Sequence, residues 1–235
     1  MTKSIFTYIF LLFTTVSFGQ EMTGQQLLEK AIQYHDPNGN WATFNGTLQV
    51  TMETPKNKPR VSTIKINLPK EYFYVKATRD NKTTEYTVEK DTCTIAFNGK
   101  TDISVEDIQK NNLSCERANL YKGYYEYLYG LPMKLEDEGT IIDPKVQKKT
   151  FKGKEYLVLK ATYTEDVGKD IWYFYFDPET YAMEIYQFFK NEAKNDGEYI
   201  LLTEEAVIND IKMPKKRAWY YNKNDGYLGT DILLD

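Results

Sequence analysis

The apolar residues near the start of the chain recur with the spacing of an amphipathic helix. Thr23, followed three residues later by Gln26, has the pattern of a capping box, which marks the N-terminus of a helix. The turn-forming stretch 36–40 ends this pattern, and the sequence therefore predicts a helix over 22–34. The apolar face of that helix is formed by Leu27, Leu28, Ala31 and Ile32.

From residue 48 onward apolar and polar residues alternate, which is the pattern of strands with one face on the core and the other in water. Short turns such as Asn98-Gly99 join consecutive strands, and such turns favour antiparallel pairing over crossover connections. The pattern predicts about eleven strands. Eleven segments are concerned, and 228–234 is a weaker twelfth candidate: 48–52, 64–68, 73–77, 86–88, 93–97, 146–151, 156–164, 170–177, 181–190, 198–206 and 215–222.

Residues 104–130 interrupt the strands with a second helical pattern. Ser104, with Asp107 three residues later, is typical of a helix start, and Gly130 followed by Pro132 is typical of a helix end. The helix-compatible spacing runs from Leu113 to Leu128, so Cys115 lies at the start of this helix. The spacing places one set of apolar residues on a common side: Leu120, Tyr124, Tyr127 and Leu128.

The first twenty residues have the features of a targeting sequence. Lys3, followed by the apolar run 5–16 and by small residues up to Gly19, is typical of a secretory signal peptide cleaved after Gly19. A buried first helix is the alternative. The run is too short for a permanent transmembrane helix, no second long apolar segment follows, and no Cys near the cleavage point can take a lipid anchor. We therefore predict a signal peptide over 1–19 and a single soluble domain over 20–235, exported to the periplasm or the exterior.

The composition narrows the class of protein without assigning an activity. Of the 235 residues 27% are charged and 41% are hydrophobic, which is ordinary for a globular protein and excludes a disordered chain. The net charge of −4 disfavours sequence-independent binding of nucleic acid. Aromatic residues reach 15%, with 20 Tyr, and this is the one unusual feature. No pattern in the sequence indicates the oligomeric state.

Cys93 and Cys115 are the only two cysteines. In the oxidising compartment that a signal peptide implies, two thiols are expected to pair. A zinc site is the rival interpretation, but a structural zinc ion needs four ligands and the chain has one His. The sequence therefore predicts a disulfide that joins a strand to the start of the second helix.

Catalysis that depends on histidine has one candidate, because His35 is the only histidine. No Ser lies in a G-x-S-x-G context, and no zinc-protease, Walker A or dinucleotide-binding motif is present. Asp36, Asn38 and Asn40 have the spacing of a calcium loop, but the twelfth position is Thr47 where a Glu is needed, and a capped turn is favoured. We predict no metal and no cofactor. His35 beside Asp36 remains a secondary candidate, as part of a carboxylate-dependent hydrolase.

The aromatic residues cluster at 121–129, 172–176 and 219–221. One interpretation is packing between a sheet and a helix, because Tyr buries its ring while its hydroxyl keeps a hydrogen bond. The other is the lining of a cavity that holds an apolar ligand with a polar end. On the second interpretation the cavity residues are Trp41, Tyr121, Tyr124, Trp172, Phe174 and Trp219.

Five motifs spread over the chain are distinctive: His35–Trp41, Tyr129–Lys134, Trp172–Pro178, Asn195–Tyr199 and Leu228–Asp231. Together they resemble a family of exported bacterial proteins of unknown function. The resemblance covers nearly all of the chain after the signal peptide. It implies no activity, because none is established for that family.

The order of the elements is also similar to that of the LolA/LolB lipoprotein-carrier superfamily. The segment 211–214, followed by the aromatic strand at Trp219, resembles the late hairpin of that fold. The resemblance implies an α+β fold in which a single strongly curved antiparallel sheet, a half-barrel, packs around helices. It also implies an apolar cavity that accepts acyl chains, although a shared fold does not establish a shared function.

The sequence thus predicts a non-enzymatic exported protein that binds a hydrophobic or amphipathic ligand, such as a lipid, an acyl chain or a lipoprotein, in the concave face of the sheet. A carboxylate-dependent hydrolase is one alternative. A structural envelope protein whose aromatic residues form a partner interface is the other. Nucleic acid is not expected as a partner, and contact with a membrane surface stays open.

Overall fold

The computed structural model describes residues 21–234. The predicted signal peptide, residues 1–19, lies outside the described residues. Within them, no helix combines the length and the apolar character needed to cross a membrane.

Three α-helices are present in the described residues: α1 (Gly24–His35), α2 (Val105–Asn111) and α3 (Cys115–Gly130). The predicted capping box is confirmed, because the Thr23 side chain accepts a hydrogen bond from the Gln26 backbone N–H and the Gln26 side chain accepts one from the Thr23 N–H. Short 3₁₀ helices cover Asn40–Thr43, Leu68–Lys70, Met133–Glu136 and Glu192–Lys194.

The second helical region is two helices where the pattern predicts one. Asn112 adopts a left-handed conformation with φ 48°, and its N–H bonds back to carbonyl groups of α2, which ends that helix. Two residues later the Ser114 hydroxyl accepts a hydrogen bond from the Arg117 N–H and starts α3.

The strands are β1 (Asn45–Thr54), β2 (Asn57–Asn67), β3 (Tyr72–Arg79), β4 (Lys82–Glu89), β5 (Thr92–Phe97), β6 (Thr140–Ile142), β7 (Gln147–Phe151), β8 (Lys154–Tyr163), β9 (Ile171–Phe176), β10 (Met183–Phe189), β11 (Glu198–Ile208), β12 (Ile211–Tyr221) and β13 (Tyr227–Leu234). These thirteen strands of the described residues exceed the predicted number by about two. A three-residue strand such as β6 is too short to show alternation.

All thirteen strands form one antiparallel sheet with the order β5-β4-β3-β2-β1-β13-β12-β11-β10-β9-β8-β6, and β7 pairs with β8 beside β6. Neighbours in the chain are neighbours in the sheet almost throughout. One exception is the pairing of β1 with β13, which joins the first five strands to the rest. Another is β5 and β6, which follow each other in the chain but lie at opposite ends of the sheet.

The sheet is strongly curved, and its curvature follows from the composition of the core. A single hydrophobic cluster contains Val88 of β4, Leu159 of β8 and Leu128 of α3, although β4 and β8 lie near opposite ends of the sheet. One face can bury residues from both ends together only if the sheet bends around the helices. The predicted α+β class with one curved antiparallel sheet around helices is confirmed.

Strand β9 carries aromatic residues on both faces, and both faces are covered. Trp172, Phe174 and Phe176 join the main core on the concave side. Tyr173 and Tyr175 belong to a smaller cluster on the convex side, where Phe151 of β7 packs on them. The aromatic strand therefore serves two packing layers.

Cys93 of β5 and Cys115 of α3 form the predicted disulfide. The bond links the edge strand of the sheet to the first residue of the helix that fills the concave face. It thereby ties together two elements whose packing defines one rim of the interior.

Candidate functional site

The side chain of His35 is occupied by structural hydrogen bonds. It is 2% exposed, its Nδ1 lies 2.8 Å from the Lys212 carbonyl oxygen, and its Nε2 accepts a hydrogen bond from the Met183 N–H at 2.9 Å. A neutral ring with the proton on Nδ1 satisfies both contacts. Burial lowers the pKa of His35 below its usual range, although the Lys212 carbonyl opposes this shift.

Asp36 is structural as well. Its two carboxylate oxygens accept hydrogen bonds from the N–H groups of Asn40 and Trp41, each at 2.8 Å. These bonds fix the turn after α1, which is the capped turn that the sequence favours over a calcium loop. The pair His35 and Asp36 is thus engaged in holding α1 against the sheet. Among residues 21–234 no group of three or more His, Cys, Asp and Glu side chains is arranged to hold a metal ion.

A cleft of 540 Å³ opens beside α1 and contains several carboxylates. Asp177 is bound by Lys154 at 2.8 Å and by the Thr180 N–H, and these contacts lower the pKa of Asp177 far below its usual range. Lys154 also bonds Glu184. A carboxyl group that donates a proton in catalysis needs a raised pKa, and Asp177 has the opposite.

The six predicted cavity residues lie on the concave side at different places. Phe174 is fully buried, and Trp41 packs on Phe44 beneath the C-terminal end of α3. Trp172 lines a 310 Å³ pocket with Tyr127 at one end of the interior. Tyr121 and Tyr124 line a different opening, and Trp219 stacks on Tyr124 at 6.3 Å between ring centroids. The structure brings Tyr121, Tyr124 and Trp219 together at this opening. Trp172 stacks on Phe174 at 6.0 Å, and the ring of Tyr186 connects Trp172 to Trp219 at centroid distances of 6.1 and 6.2 Å.

The opening at Tyr121 and Tyr124 is a pocket of 350 Å³ between α3 and the strands β1 and β2. We call it the apolar pocket; it is lined by Met52, Arg60, Arg117, Leu120, Tyr121 and Tyr124. Leu120 is 67% exposed at its mouth, whereas the sequence places it on the same side of the helix as buried Leu128. Residues 120 and 128 are eight positions apart in the helix. The buried face of α3 centres on Tyr125, Leu128 and Tyr129, and Leu120 lies outside this face.

A second pocket, of 310 Å³, adjoins the first on the side of β3 and β4. We call it the basic pocket; it is lined by Arg60, Val75, Ala77, Arg79, Asp80, Lys82, Thr84, Tyr86, Asn111, Arg117 and Tyr121. Arg60, Arg117 and Tyr121 line both pockets, which are therefore two parts of one groove along α3.

Tyr121 lies at the centre of this groove. Its ring stacks on Tyr86 at 5.7 Å and on Tyr125 at 6.1 Å between centroids. The guanidinium carbons of Arg60 and Arg117 lie 5.8 and 5.7 Å from the centroid of the same ring. Tyr121 therefore makes two cation–π contacts, and its ring brings the guanidinium groups of Arg60 and Arg117 close to the same place.

The guanidinium groups of the groove lack carboxylate partners. Arg60 donates long hydrogen bonds of 3.4 and 3.3 Å to the hydroxyls of Tyr121 and Tyr125. The buried Nε atoms of Arg60 and Arg79 have no hydrogen-bond partner in the described part of the chain. Asp80 lines the basic pocket, but it is paired with Lys58 at 3.1 Å. The positive charge of the groove is therefore not neutralised by a direct ion pair.

The interior next to the groove also contains buried polar side chains, Arg217 on β12 and Asp231 on β13, and we call this region the floor. Asp231 of β13 is 3% exposed, and its carboxylate accepts a hydrogen bond from the Tyr124 hydroxyl at 3.2 Å. Burial raises the pKa of Asp231, while Arg60 and Arg217 oppose this shift. Its second oxygen and the Tyr186 hydroxyl are buried without a hydrogen-bond partner among residues 21–234.

Arg217 has a structural role in this floor. It is 1% exposed and donates to the carbonyls of Pro214 and Leu128, at 3.0 and 3.2 Å. The Leu128 carbonyl is in the last turn of α3, where a helix leaves its acceptors unsatisfied. Arg217 thus caps α3 from below, and its guanidinium also stacks on Tyr129 at 4.1 Å.

The sequence patterns do not predict the arginines of the groove, although the small number of arginines is visible in the sequence. Only four of its 30 basic residues are Arg, and the remainder are Lys. Three of the four arginines line the groove: Arg60, Arg79 and Arg117. This scarcity draws attention to the arginines. Only the fold shows that three of them, from β2, β3 and α3, lie together.

Comparisons with known proteins agree with the architecture. Residues 3–235 match the model of DUF6503, which is described as a family of unknown function. No curated protein matches the chain. Three solved structures are similar to it over 90–91% of this chain and 92% of theirs.

The three structures share little sequence with this chain. A LolA superfamily protein from Nitrosomonas europaea gives a TM-score of 0.49 at 10% identity. A putative outer membrane lipoprotein-sorting protein domain from Vibrio parahaemolyticus gives 0.49 at 11% identity. A DUF1329 family protein from Desulfovibrio piger gives 0.50 at 7% identity, a likeness in fold alone. The first of these descriptions names the LolA superfamily.

Proposed function

Because the chain belongs to the DUF6503 family, a family of unknown function, we propose its function from the geometry of the groove. The protein is an exported, non-enzymatic binding protein that holds a hydrophobic or amphipathic molecule in the concave face of its sheet. The apolar part of that molecule occupies the apolar pocket beside α3.

The exposure of Leu120 is the observation that carries this proposal. A Leu that is 67% exposed at the mouth of a pocket lined by Met52, Tyr121 and Tyr124 leaves apolar surface in water on the same side as the opening. Covering such surface with an apolar ligand is favourable by about 25 cal/mol per Å² buried. The pocket volume of 350 Å³ lies near the lower end of the range of about 300–1,000 Å³ typical of ligand sites, which suits one chain.

The engaged state of His35 supports a binding role over hydrolysis. Both of its ring nitrogens have backbone partners inside the fold, so the only histidine of the chain is not available as a general base. Export is supported by two features, the signal-peptide pattern of residues 1–19 and the disulfide between Cys93 and Cys115, which persists in oxidising compartments.

Binding of an uncharged amphipath tests the proposal. We expect purified protein to bind 1-dodecanol in a titration by calorimetry, below the concentration at which the alcohol separates from solution. The variant Leu120→Asp places a charge at the mouth of the apolar pocket and should weaken binding about tenfold or more, because the carboxylate would be desolvated.

The matched control is Val207→Asp. Val207 is 65% exposed, nearly as much as Leu120, but it lies on β11 and lines neither part of the groove. This variant should bind 1-dodecanol as the unmodified protein does. Equal loss in both variants, or absence of binding of 1-dodecanol together with its twelve-carbon carboxylate and phosphate analogues, would contradict the proposal.

A further inference from the structure

The distribution of basic residues sets the groove apart from the rest of the surface. The protein carries a net charge of −4, yet the basic pocket is lined by three Arg and one Lys against a single carboxylate, that of Asp80. That carboxylate is already paired with Lys58 outside the pocket. A local excess of positive charge attracts anions to the groove even though the protein as a whole is acidic.

The choice of Arg over Lys at these positions adds a geometric argument. Elsewhere in the described chain lysines pair with carboxylates, as Lys154 does with Asp177 and Lys160 with Glu192. Within residues 21–234, no arginine takes part in such a pair. The planar guanidinium binds carboxylate or phosphate through two parallel hydrogen bonds, which an ammonium group does not.

Two of these guanidinium groups are incompletely hydrogen-bonded by the residues that the structure describes. The Nε atoms of Arg60 and Arg79 are buried and have no acceptor among the described residues. A buried donor without a partner costs free energy, and a ligand oxygen would remove that cost. Arg117, on the opposite wall, lies over the ring of Tyr121 and completes the enclosure on the side of the helix.

We propose that the basic pocket binds the anionic head group, a carboxylate or a phosphate, of an amphipath whose hydrocarbon chain lies in the apolar pocket. Arg79 and Arg117 donate to the head group from the sheet and from α3, and Arg60 lies between the head and the chain. The two pockets share Arg60, Arg117 and Tyr121, so head and chain of one molecule fit side by side. This inference rests on the proposed function, since it names the ligand class for the same groove.

The experiment compares three probes with the same chain: dodecanoate, dodecyl phosphate and 1-dodecanol, each titrated into the purified protein by calorimetry. We expect at least one of the two anions to bind about tenfold or more tightly than the alcohol, as for a charge-assisted hydrogen bond in a partly buried site. The anion that binds more tightly identifies the head group. Added salt should weaken binding of the anions more than binding of the alcohol.

Variants then test the residues. Arg79 lines only the basic pocket, so Arg79→Gln should reduce the preference for the anion and leave the affinity for 1-dodecanol unchanged. Arg117 also lines the apolar pocket, so Arg117→Gln and the double variant are judged by the ratio of the anion affinity to the alcohol affinity, which should fall to about one in the double variant. Lys122→Gln removes the same charge from α3 at a position that lines neither pocket, and it should keep the preference. Arg117→Lys should restore only part of the affinity, because it keeps the charge without the two-pronged donor.

Each outcome decides one of the two proposals. Equal affinity for all three probes would overturn the anionic head group and leave the proposed binding function intact. A preference for the anion that persists in the double arginine variant would also overturn it. Absence of binding of every probe would overturn the binding function itself. Circular dichroism and thermal unfolding of each variant show whether a loss of binding comes from a loss of the fold.

Discussion

Some residues whose chemistry would suit catalysis have structural roles in this protein. His35 joins the end of α1 to the backbone of β12 through Lys212 and to that of β10 through Met183. Because the Nε2 atom accepts a hydrogen bond from a backbone N–H, protonation of the ring turns that acceptor into a donor and opposes two N–H groups. The contact exists only while His35 is neutral.

This contact makes stability depend on pH. The folded pKa of His35 is lowered from 6.5, so between these two values the unfolded chain binds more protons than the folded one. The stabilisation is therefore fully present above the unfolded pKa and is lost as pH falls through the folded pKa. The slope is at most about 1.4 kcal/mol per pH unit.

We expect urea unfolding of the unmodified protein to give a lower free energy at about pH 5 than at about pH 7.5. In His35→Gln, which does not titrate, this part of the pH dependence should be missing. Since the chain has one His, no second imidazole contributes in this range. Parallel loss of stability in both proteins would show that His35 is not the group responsible.

The elements of the fold were predicted to different degrees, for physical reasons. Capping residues such as Thr23 and Ser104 act on neighbouring residues, and both positions cap helices in the structure. The boundary at Asn112 depends on one left-handed residue, and the local pattern does not specify it. The arginines of the groove come from β2, β3 and α3, and their proximity follows from the tertiary fold, which no local pattern encodes.

Helix α3 contains two glycines whose surroundings differ, and they give a matched pair of substitutions. A Cβ at Gly123 would have no atom within 4 Å, whereas a Cβ at Gly130 would lie 2.4 Å from Cζ2 of the buried Trp41 ring. Gly123→Ala should stabilise the protein by about 1 kcal/mol through helix propensity. Gly130→Ala should destabilise it by about 1–3 kcal/mol, because the Trp41 ring must move.

Urea unfolding of both variants under one set of conditions checks this prediction. The sign of the difference is the decisive result, since the same methyl group is added to the same helix. If Gly130→Ala were as stable as Gly123→Ala, the C-terminal end of α3 would not be packed on Trp41 as described.

At the scale of the whole molecule, the sheet consists of two meanders that meet at one junction. Strands β1–β5 follow one another in order, as do β8–β12, and β13 pairs with β1 on one side and with β12 on the other. The groove lies on the first meander and α3, while the floor formed by Arg217 and Asp231 lies on β12 and β13. The interior is therefore complete only when both meanders are joined.

Deletion of residues 227–235 should abolish cooperative unfolding, because it removes the strand that links the meanders. Reduction of the disulfide is the contrasting perturbation, since Cys93 lies on the edge strand β5. Reduction should lower stability by about 3 kcal/mol and leave a cooperative transition. Urea unfolding followed by circular dichroism distinguishes the two, and a cooperative transition in the shortened chain would contradict the role given to β13.

The position of β13 also has a consequence for biosynthesis. Every other described strand precedes β13 in the chain, so a nascent polypeptide can assemble the first meander on the ribosome but has no partner for the free side of β1. An unpaired strand of this kind is a template for pairing with other chains. Until β13 has been synthesised, the free side of β1 is therefore a place where other chains can pair.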